Sequence, residues 1–508
     1  MKDDFERARD YFELGLAALK MGNFSLAELE FRSALQLSPD RVSIITNLTA
    51  TLIKQDKWAD AQTLCKYLIS IDPNNEEGLI NLGVCLLHQN NPAEAIHFLD
   101  TALELNPNSL AALINKGNAL LEMQDPLSTQ SYFEKALDID PKSEEALIGM
   151  GNLHNDRREY SLGLNYFSSA LSINPNNSRA KWNTSLSLLR LGEYRRGWEL
   201  YESRWEIPGI KEHARSIQLP LWTSQTPLHS KTIYITCEQG FGDAIQMCRY
   251  LPLLEIQYGA NVIFETTKPL LDLMKSISKT LTVVETGRLE DGQIQSIADV
   301  YCPIMSLPLA FQTSIDSIPN TIPYLYTDAH KDTYWQKKLS SIGLQGKHFR
   351  IKPYKVGLTW SGSGHYAGKK NPKRDVPFHL VLSLIESLKD QPIEFHAIQE
   401  NIKDAWLNYK NLPSNLFFYP GELKTFSDTA SLVIQLDLVV SIDTAVAHLS
   451  GALGQKTILA LPEPSDFMTL ITHEHSPWYP KTRLVRQKTI GKWPLEDIKN
   501  SILLALNE

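Results

Sequence analysis

Residues 436–454 read LDLVVSIDTAVAHLSGALG, and this stretch sets the architecture of the C-terminal part of the chain. Within it, residues 438–442 are apolar except for Ser441. A short apolar run of this kind predicts a strand that is buried on both faces, as in a parallel sheet. The stretch therefore indicates a doubly wound α/β fold, in which helices join parallel strands.

The residues that follow this strand form a candidate ligand site. A helix that begins at the carboxyl end of a parallel strand directs unpaired N–H groups and a positive dipole end toward a crevice, which suits a diphosphate. An ordinary βα unit without a ligand shows the same pattern, so that alternative stays open. The turn consists of Asp443, Thr444 and Ala445, and the helix that follows carries His448.

A glycine-rich turn and a basic run follow an earlier predicted strand, residues 355–360. The turn is residues 361–365, SGSGH, and the run is residues 369–374, KKNPKR. Small hydroxyl residues followed by fixed positive charge suit the diphosphate leaving group of a nucleotide. A basic loop that only faces solvent is the alternative. The candidates for phosphate contact are Ser361, Gly362 and Arg374.

The other predicted elements of this half continue the doubly wound pattern. A strand over residues 393–398 ends at Gln399, whose amide we predict to read the edge of a nucleobase. Asp428 is predicted to cap a helix over residues 429–435. A final helix from Pro494 has one apolar face, which we expect to pack back across the first half. The remaining predicted strands are residues 457–461 and 483–486.

Another set of strands precedes this half and indicates a second doubly wound domain. A strand over residues 232–236 leads into the turn EQGFGD, residues 238–243, and a helix is predicted from about Ala244. At the carboxyl end of the strand, Asp243 would face the crevice, where it could take a proton from an acceptor hydroxyl as general base. A helix cap is its alternative role. The other predicted elements are strands over residues 261–265, 281–285 and 299–304, and a helix over residues 269–277.

The N-terminal part of the chain repeats with a period of 34 residues. Proline recurs at this spacing and ends the second helix of each unit, because it has no N–H for the helical ladder. Small residues recur where the two helices of a unit would cross. The period and its columns resemble the tetratricopeptide repeat, and we predict five full repeats and a partial sixth, stacked as a superhelix. The prolines are Pro39, Pro73, Pro107, Pro141 and Pro175.

Asparagine occupies one more column, on the first helix of each repeat, which lines the concave groove in such arrays. A side-chain amide offers a donor and an acceptor, so it can bind a peptide backbone whatever the peptide's sequence. The column resembles the asparagine ladder of O-GlcNAc transferase, which clamps an extended acceptor polypeptide. Capping or bridging of neighbouring helices is the alternative. The candidate acceptor-binding residues are Asn47, Asn81, Asn115 and Asn183.

Composition limits the partners and the compartment. The chain of 508 residues is 43% hydrophobic and 21% charged, which is typical of a globular protein of about three domains. Its net charge of −8 argues against nucleic acid as the main partner. The first residues lack an apolar signal segment, and no apolar run reaches membrane-spanning length. Five cysteines without a CxxC pair favour a reduced, cytoplasmic protein.

The two α/β halves resemble the lipopolysaccharide heptosyltransferase family. The resemblance rests on the GxGD turn that ends at Asp243, on WSG…RxxP over residues 360–377, and on SxDTAxAHLxGALG over residues 441–454. It implies a GT-B fold, meaning two Rossmann-like halves with the active site between them. It also implies a nucleotide-sugar co-substrate, no required metal or other cofactor, and Asp243 as the catalytic carboxylate. The matching donor-site residues are Ser361, Gly362, Arg374, Asp443, Thr444, Ala445 and His448.

The combination of repeats and a transferase unit is similar in plan to O-GlcNAc transferase and to enzymes that glycosylate flagellin. We therefore expect a repeat superhelix over residues 1–205, a linker over 206–230, an acceptor-side half over 231–345 and a donor half over 346–508. The expected reaction moves a sugar from a nucleotide donor to Ser or Thr hydroxyls of a protein acceptor held by the repeat groove. Flagellin is a leading candidate for that acceptor.

Two alternatives to this function stay open on the sequence. The enzyme could act on a glycan or lipid acceptor, with the repeats serving only assembly. The chain could instead be a non-catalytic scaffold, in which the repeats recruit a partner and the transferase domain has decayed. The joint presence of Asp243, Arg374, Asp443 and His448 speaks against decay.

Overall fold

A computed structural model describes residues 4–208, 210–211, 214–342, 352–362, 365–366, 369–370, 374–399, 404–407, 409–410, 412–463, 465, 467–471, 473–489 and 491–508. Parts of the predicted phosphate turn and basic run, namely Ser363, Gly364 and residues 371–373, lie outside the described residues. The chain divides into two compact units, Met1–Asn183 and Thr184–Glu508.

The first unit consists of paired antiparallel helices, as the 34-residue period predicts. Side chains cap many of them: Asn75, for example, accepts a hydrogen bond from the Gly78 N–H at 2.9 Å. The second helix of a pair ends two residues before the recurring proline, as with Ile71 and Pro73. The helices are α1 Asp4–Lys20, α2 Phe24–Leu37, α3 Val42–Lys54, α4 Trp58–Ile71, α5 Glu76–His88, α6 Pro92–Leu105, α7 Leu110–Glu122, α8 Pro126–Ile139, α9 Glu144–Asp156, α10 Tyr160–Ile173 and α11 Ser178–Leu191, which continues into the second unit.

Glycine and large aromatic side chains alternate in the core of the first unit. Phe133 on α8 is fully buried and packs against Gly117 on α7 and Gly149 on α9. A methyl group at Gly117 would lie 2.6 Å from the Phe133 ring, so no larger residue fits there without a shift. Gly15 and Phe31 form the equivalent contact in the first repeat. Each repeat therefore buries its apolar face against its neighbours.

The second unit contains two parallel sheets, which confirms the α/β fold class. The first has the order β3-β2-β1-β4 and the second the order β12-β11-β10-β5-β8-β9. The predicted strands agree with the observed ones to within one or two residues. The strands are β1 Thr232–Thr236, β2 Asn261–Thr266, β3 Thr282–Glu285, β4 Val300–Pro303, β5 Tyr354–Thr359, the antiparallel pair β6 His365–Tyr366 and β7 Lys369–Lys370, β8 Ile393–Ala397, β9 Leu416–Phe417, β10 Leu438–Ile442, β11 Thr457–Leu461 and β12 Thr482–Arg486.

Helices connect these strands and cover the sheets. Short 3-10 turns, such as Glu202–Glu206 and Lys268–Leu270, lie between them. Among the described residues, no helix is both long enough and apolar enough to cross a bilayer. The helices are α12 Tyr194–Tyr201, α13 Phe241–Met247, α14 Leu251–Tyr258, α15 Leu271–Met274, α16 Asp291–Ile297, α17 Leu307–Ala310, α18 Ala329–Ile342, α19 Phe378–Glu386, α20 Asp404–Leu407, α21 Phe426–Val433, α22 Ala445–Ala452 and α23 Leu495–Asn507.

Three helix predictions need correction. The helix predicted from Ala244 begins at Phe241, because Gly240 takes the N-cap position. Asp428 is not the N-cap of its helix: Thr425 is, and the Asp428 carboxylate accepts hydrogen bonds from the Thr425 N–H and hydroxyl from inside the first turn. The helix predicted over residues 269–277 is a 3-10 turn followed by the short α15.

The C-terminal helix also lies elsewhere than expected. Its buried residues Ile498 and Ile502 belong to the core of the second sheet, together with Val356 and Val485. The prediction that it packs across the first half is wrong, because the apolar face meets the strands of its own half.

Helix α12 and the end of α11, from Thr184 onward, belong structurally to the second unit. Tyr194 and Trp198 on α12 are buried, and their rings pack against Trp478 and Phe467 at centroid distances of 6.0 and 6.3 Å. The Trp478 indole also donates a hydrogen bond to the Tyr194 hydroxyl at 3.1 Å. These contacts explain why the compact unit begins at Thr184, whereas the repeat pattern alone extends to about residue 205.

Candidate functional site

The centre of the second sheet carries the βα turn that the sequence analysis emphasised. β10 lies between β11 and β5, and Thr444 caps α22 with an extended backbone. The first helical hydrogen bond runs from the Ala447 N–H to the Thr444 carbonyl at 3.0 Å. The amide end of α22 therefore points from the carboxyl end of the sheet, as predicted for Thr444 and Ala445.

Asp443 connects the two cationic or potentially cationic side chains of this turn. Its carboxylate lies 3.6 Å from an Arg374 guanidinium nitrogen and 3.8 Å from His448 Nε2, and its carbonyl accepts a hydrogen bond from Arg374. Burial raises the pKa of the Asp443 carboxyl above its usual value, and the Arg374 charge opposes that rise. The carboxylate is thus placed to hold Arg374 and His448 in position.

His448 is oriented from its other ring nitrogen as well. Nδ1 lies 3.2 Å from the Tyr479 hydroxyl. Burial raises the pKa of Tyr479 to about 12, so this phenol keeps its proton at neutral pH. A phenol that donates to Nδ1 leaves the imidazole proton on Nε2, the nitrogen that faces Asp443.

The predicted phosphate turn follows β5 and donates two hydrogen bonds to one carboxylate of the chain. The Asp375 carboxylate accepts hydrogen bonds from the Ser361 hydroxyl at 2.6 Å and from the Gly362 N–H at 3.1 Å. A methyl group built on Gly362 would lie 3.3 Å from the Thr444 side chain. The structure therefore brings Ser361 and Gly362 next to the start of α22, as the sequence predicts.

Gln399 has an internal role that the sequence did not predict. Its carbonyl oxygen accepts hydrogen bonds from the backbone N–H groups of Trp360 and Ser361, at 2.8 and 3.2 Å. Its amide nitrogen donates to the Ser361 carbonyl at 3.0 Å. Gln399 is buried and braces the turn from behind, and its contact with a nucleobase stays a prediction.

The glycine-rich turn of the first half lies against the start of α22. A methyl group on Gly242 would lie 2.9 Å from His448 Cδ2 and 3.7 Å from the Ala445 Cα. Asp243 follows directly, and its carboxylate accepts a hydrogen bond from the Gly240 N–H at 3.0 Å. The capping role that was left open for Asp243 is therefore present, and its catalytic role stays a prediction.

The four asparagines lie on the first helices of their repeats, in the first unit. Asn47 and Asn115 donate from their side chains to the carbonyl oxygens of Ser43 and Ala111, one turn earlier on the same helix. Asn183 donates to the Asn152 side chain at 2.8 Å, which bridges neighbouring repeats as the alternative interpretation expects. All four side chains are half-buried.

Sequence reasoning missed two residues of this region, Arg249 and Asp375. Arg249 is buried and donates to the carbonyl oxygens of Trp478 and Pro319 and to the Tyr324 hydroxyl, at 2.9 to 3.0 Å. No local sequence pattern predicts the role of such a residue, because its hydrogen-bond partners lie far away along the chain. The sequence could have drawn attention to Asp375, since it follows Arg374 directly and is an acidic residue at the end of a basic run.

Comparison with protein families confirms the repeats. Models of the tetratricopeptide repeat match residues 8–41, 52–117 and 110–143. Solved structures similar to the chain include the tetratricopeptide-repeat protein TTC0263 of Thermus thermophilus, at 19% identity, 36% coverage of this chain and 99% of that one, with a TM-score of 0.33. Pseudomonas aeruginosa pilF is another, at 24% identity, 40% and 91% coverage, with a TM-score of 0.32.

A curated relative extends the similarity beyond the repeats. The chain is 26% identical over 328 residues to protein FlbA of Caulobacter vibrioides. The aligned region covers 60% of this chain and 51% of FlbA, so the chain spans about half the length of that relative.

Proposed function

We propose that the protein is a GT-B-type glycosyltransferase that moves a sugar from a nucleotide donor to Ser or Thr hydroxyls of a protein acceptor. One observation carries the proposal: the turn with Asp243 in the first half lies against the helix with Ala445 and His448 in the second. A turn that carries a carboxylate in one α/β half and the amide end of a helix in the other thus meet at the carboxyl ends of two parallel sheets. Ligands of such folds bind at this position.

The donor side supports departure of a nucleotide. The Arg374 guanidinium and the amide end of α22 supply positive charge at the place where a diphosphate would develop negative charge. Asp443 holds Arg374 there, so we assign it a positioning role rather than direct contact with phosphate, because two anions repel each other. Fixed positive groups of this kind can take over what a metal does for the leaving group, and we propose no metal or other cofactor.

The acceptor side supports removal of a proton. A carboxylate has about four acceptor positions, so the hydrogen bond from Gly240 orients Asp243 and is compatible with proton transfer to it. In the proposed step, the acceptor oxygen forms a bond to the anomeric carbon while the bond from that carbon to the donor phosphate breaks. The hydroxyl proton passes to Asp243, and the negative charge leaves with the nucleotide.

The repeats supply the argument for a protein acceptor. Tetratricopeptide arrays form extended concave binding surfaces. The amides of Asn47, Asn81 and Asn115 recur at the same position of successive first helices, so they would offer one amide per repeat to a bound extended chain. Flagellin is the acceptor we would test first, on the resemblance to flagellin-modifying enzymes, with the reaction placed in the cytoplasm.

The test is intact-mass spectrometry of flagellin and other candidate acceptors from the native host. Deletion of the gene should remove a discrete sugar mass, and wild type should restore it. Asp243→Asn should not, because asparagine keeps the bond to Gly240 but is not a base. Asp272→Asn, an exposed carboxylate in the same half, is the matched control and should restore the mass fully.

Loss of a surface glycan without any change in protein mass would move the acceptor to a glycan or lipid. Full modification by Asp243→Asn would overturn the role of that residue. Unchanged protein and glycan in the deletion strain would favour the scaffold alternative.

A further inference from the structure

In its described part, the turn after β5 has four donors that bond to side chains of the chain itself. The N–H groups of Trp360 and Ser361 donate to Gln399, at the back of the turn. The Ser361 hydroxyl and the Gly362 N–H donate to the two oxygens of Asp375, at 2.6 and 3.1 Å. The first pair braces the turn, whereas the second pair binds an anion.

The Asp375 carboxylate makes the contacts that a phosphate group would make. Two oxygens of one anionic group accept from a backbone N–H and a neighbouring hydroxyl, which is how a glycine-rich turn holds a phosphate. Gly362 is exposed and Ser361 is half-buried, so this face of the turn is accessible. Arg374, the adjacent residue, contacts Asp443 instead, at 3.6 Å.

We propose that Asp375 is an internal competitor that occupies one phosphate position of the donor site and that a nucleoside diphosphate must displace. This inference rests on the proposed function, because it takes the turn to be part of a donor site. Two anions cannot share the Ser361 and Gly362 donors, so binding of a phosphate there requires the carboxylate to leave. Asp375 therefore lowers the affinity for the leaving nucleotide and favours its release.

The first experiment measures binding of inorganic pyrophosphate and of ADP, CDP, GDP, UDP and dTDP to the full-length protein by calorimetry. Asp375→Asn should bind pyrophosphate about tenfold more tightly than wild type, because asparagine still accepts from the turn but is readily displaced by an anion. The gain should appear whatever the base, since the hydrogen bonds described for Asp375 are with Ser361 and Gly362, the predicted phosphate contacts.

A second variant tests whether the gain comes from displacement of the Asp375 side chain from the turn or only from the loss of one negative charge. In Asp375→Asn combined with Ser361→Ala, the hydroxyl released to the phosphate is missing, so most of the gain should disappear. Asp437→Asn is the matched control. Its carboxylate accepts a hydrogen bond from the Lys355 N–H at 2.8 Å, at the opposite end of β5, so removing this charge should leave pyrophosphate binding unchanged.

Equal or weaker pyrophosphate binding by Asp375→Asn would overturn the proposal and leave Asp375 as a brace of the turn. An equal gain in Asp437→Asn, or a gain that survives Ser361→Ala, would overturn it as well, because either result shows a long-range charge effect. Failure of the proposed function looks different. In that case no sugar nucleotide is turned over by wild type, although the difference between wild type and Asp375→Asn in pyrophosphate binding remains.

Discussion

The two units of this chain build their cores from contacts of very different range. In the first unit, Phe133 packs between Gly117 and Gly149, each 16 residues away. In the second, Gly242 lies against His448, and Trp478 donates a hydrogen bond to Tyr194, which is 284 residues away. The first unit is a series of neighbour contacts, whereas the second depends on contacts that connect its two halves.

This difference indicates how each unit should respond to damage. Stability in a repeat array is a sum of local terms, so damage at one repeat should affect its neighbours and not reach beyond them. In the second unit, some of the residues that connect the two halves, such as His448, are also candidate site residues. A small change there should reach the activity without unfolding the chain.

The largest effect is expected from Phe133→Ala in the repeats. Loss of a fully buried ring should cost about 3–5 kcal/mol, through lost burial and the cavity that remains. Hydrogen exchange of the full-length protein should rise in α7, α8 and α9 and stay unchanged in the second unit. Leu127→Ala on the same helix, where the side chain is 81% exposed, is the control. Faster exchange throughout the second unit would show that the two units do not differ in this way.

Gly242→Ala should change the free energy of unfolding less than Phe133→Ala does. It should, however, act directly on the activity. The added methyl group would lie 2.9 Å from His448, so the two halves must shift at the candidate site. Displacements of this kind reduce turnover by about 10–100-fold. Modified acceptor per unit time gives the rate, and circular dichroism checks the fold. Gly292→Ala, which meets nothing within 4 Å, should retain full activity. Normal turnover by Gly242→Ala would separate this contact from the chemistry.

The smallest effect is expected from Asn81→Ala combined with Asn115→Ala. Loss of two amide contacts should raise the KM for the protein acceptor by about fivefold, at roughly 1 kcal/mol in total, and should leave kcat and donor KM unchanged. Asn165→Ala, an exposed asparagine on a second helix, should leave all three constants unchanged. An unaltered acceptor KM would show that these asparagines only form hydrogen bonds within the protein, such as the one from the Asn115 side chain to a backbone carbonyl of its own helix.

The accuracy of the sequence-based predictions follows the same division. Periodicity located every repeat helix pair, because proline and glycine have the same structural task at each recurrence. Strands such as Leu438–Ile442 were also predictable, since burial on both faces leaves a continuous apolar run. Helix starts were less accurate: the choice of Gly240 and Thr425 as caps depends on single hydrogen bonds that a propensity argument does not resolve.

The turns at the strand ends were predictable, but the partners of their residues were not. Glycine-rich turns and a strand followed by a small-residue helix directed attention to Asp243, Ser361 and Asp443. Asp375 accepts a hydrogen bond from Ser361, and Gln399 braces the same turn. Both contacts depend on the three-dimensional path of the chain after Ser361, which local sequence does not specify. Residues such as Arg249 have no local signature at all, because their partners come from separate elements.

The sequence by itself determined the repeat array, the α/β character of the second unit and the identity of the turns at the carboxyl ends of its strands. Those features follow from periodicity and from the local chemistry of proline, glycine and apolar runs. Only the tertiary structure decided that Gly242 meets His448, that α12 packs within the second unit, and that Asp375 accepts hydrogen bonds from the turn after β5. Each of these depends on side chains far apart in sequence meeting in a close-packed interior, which no local pattern encodes.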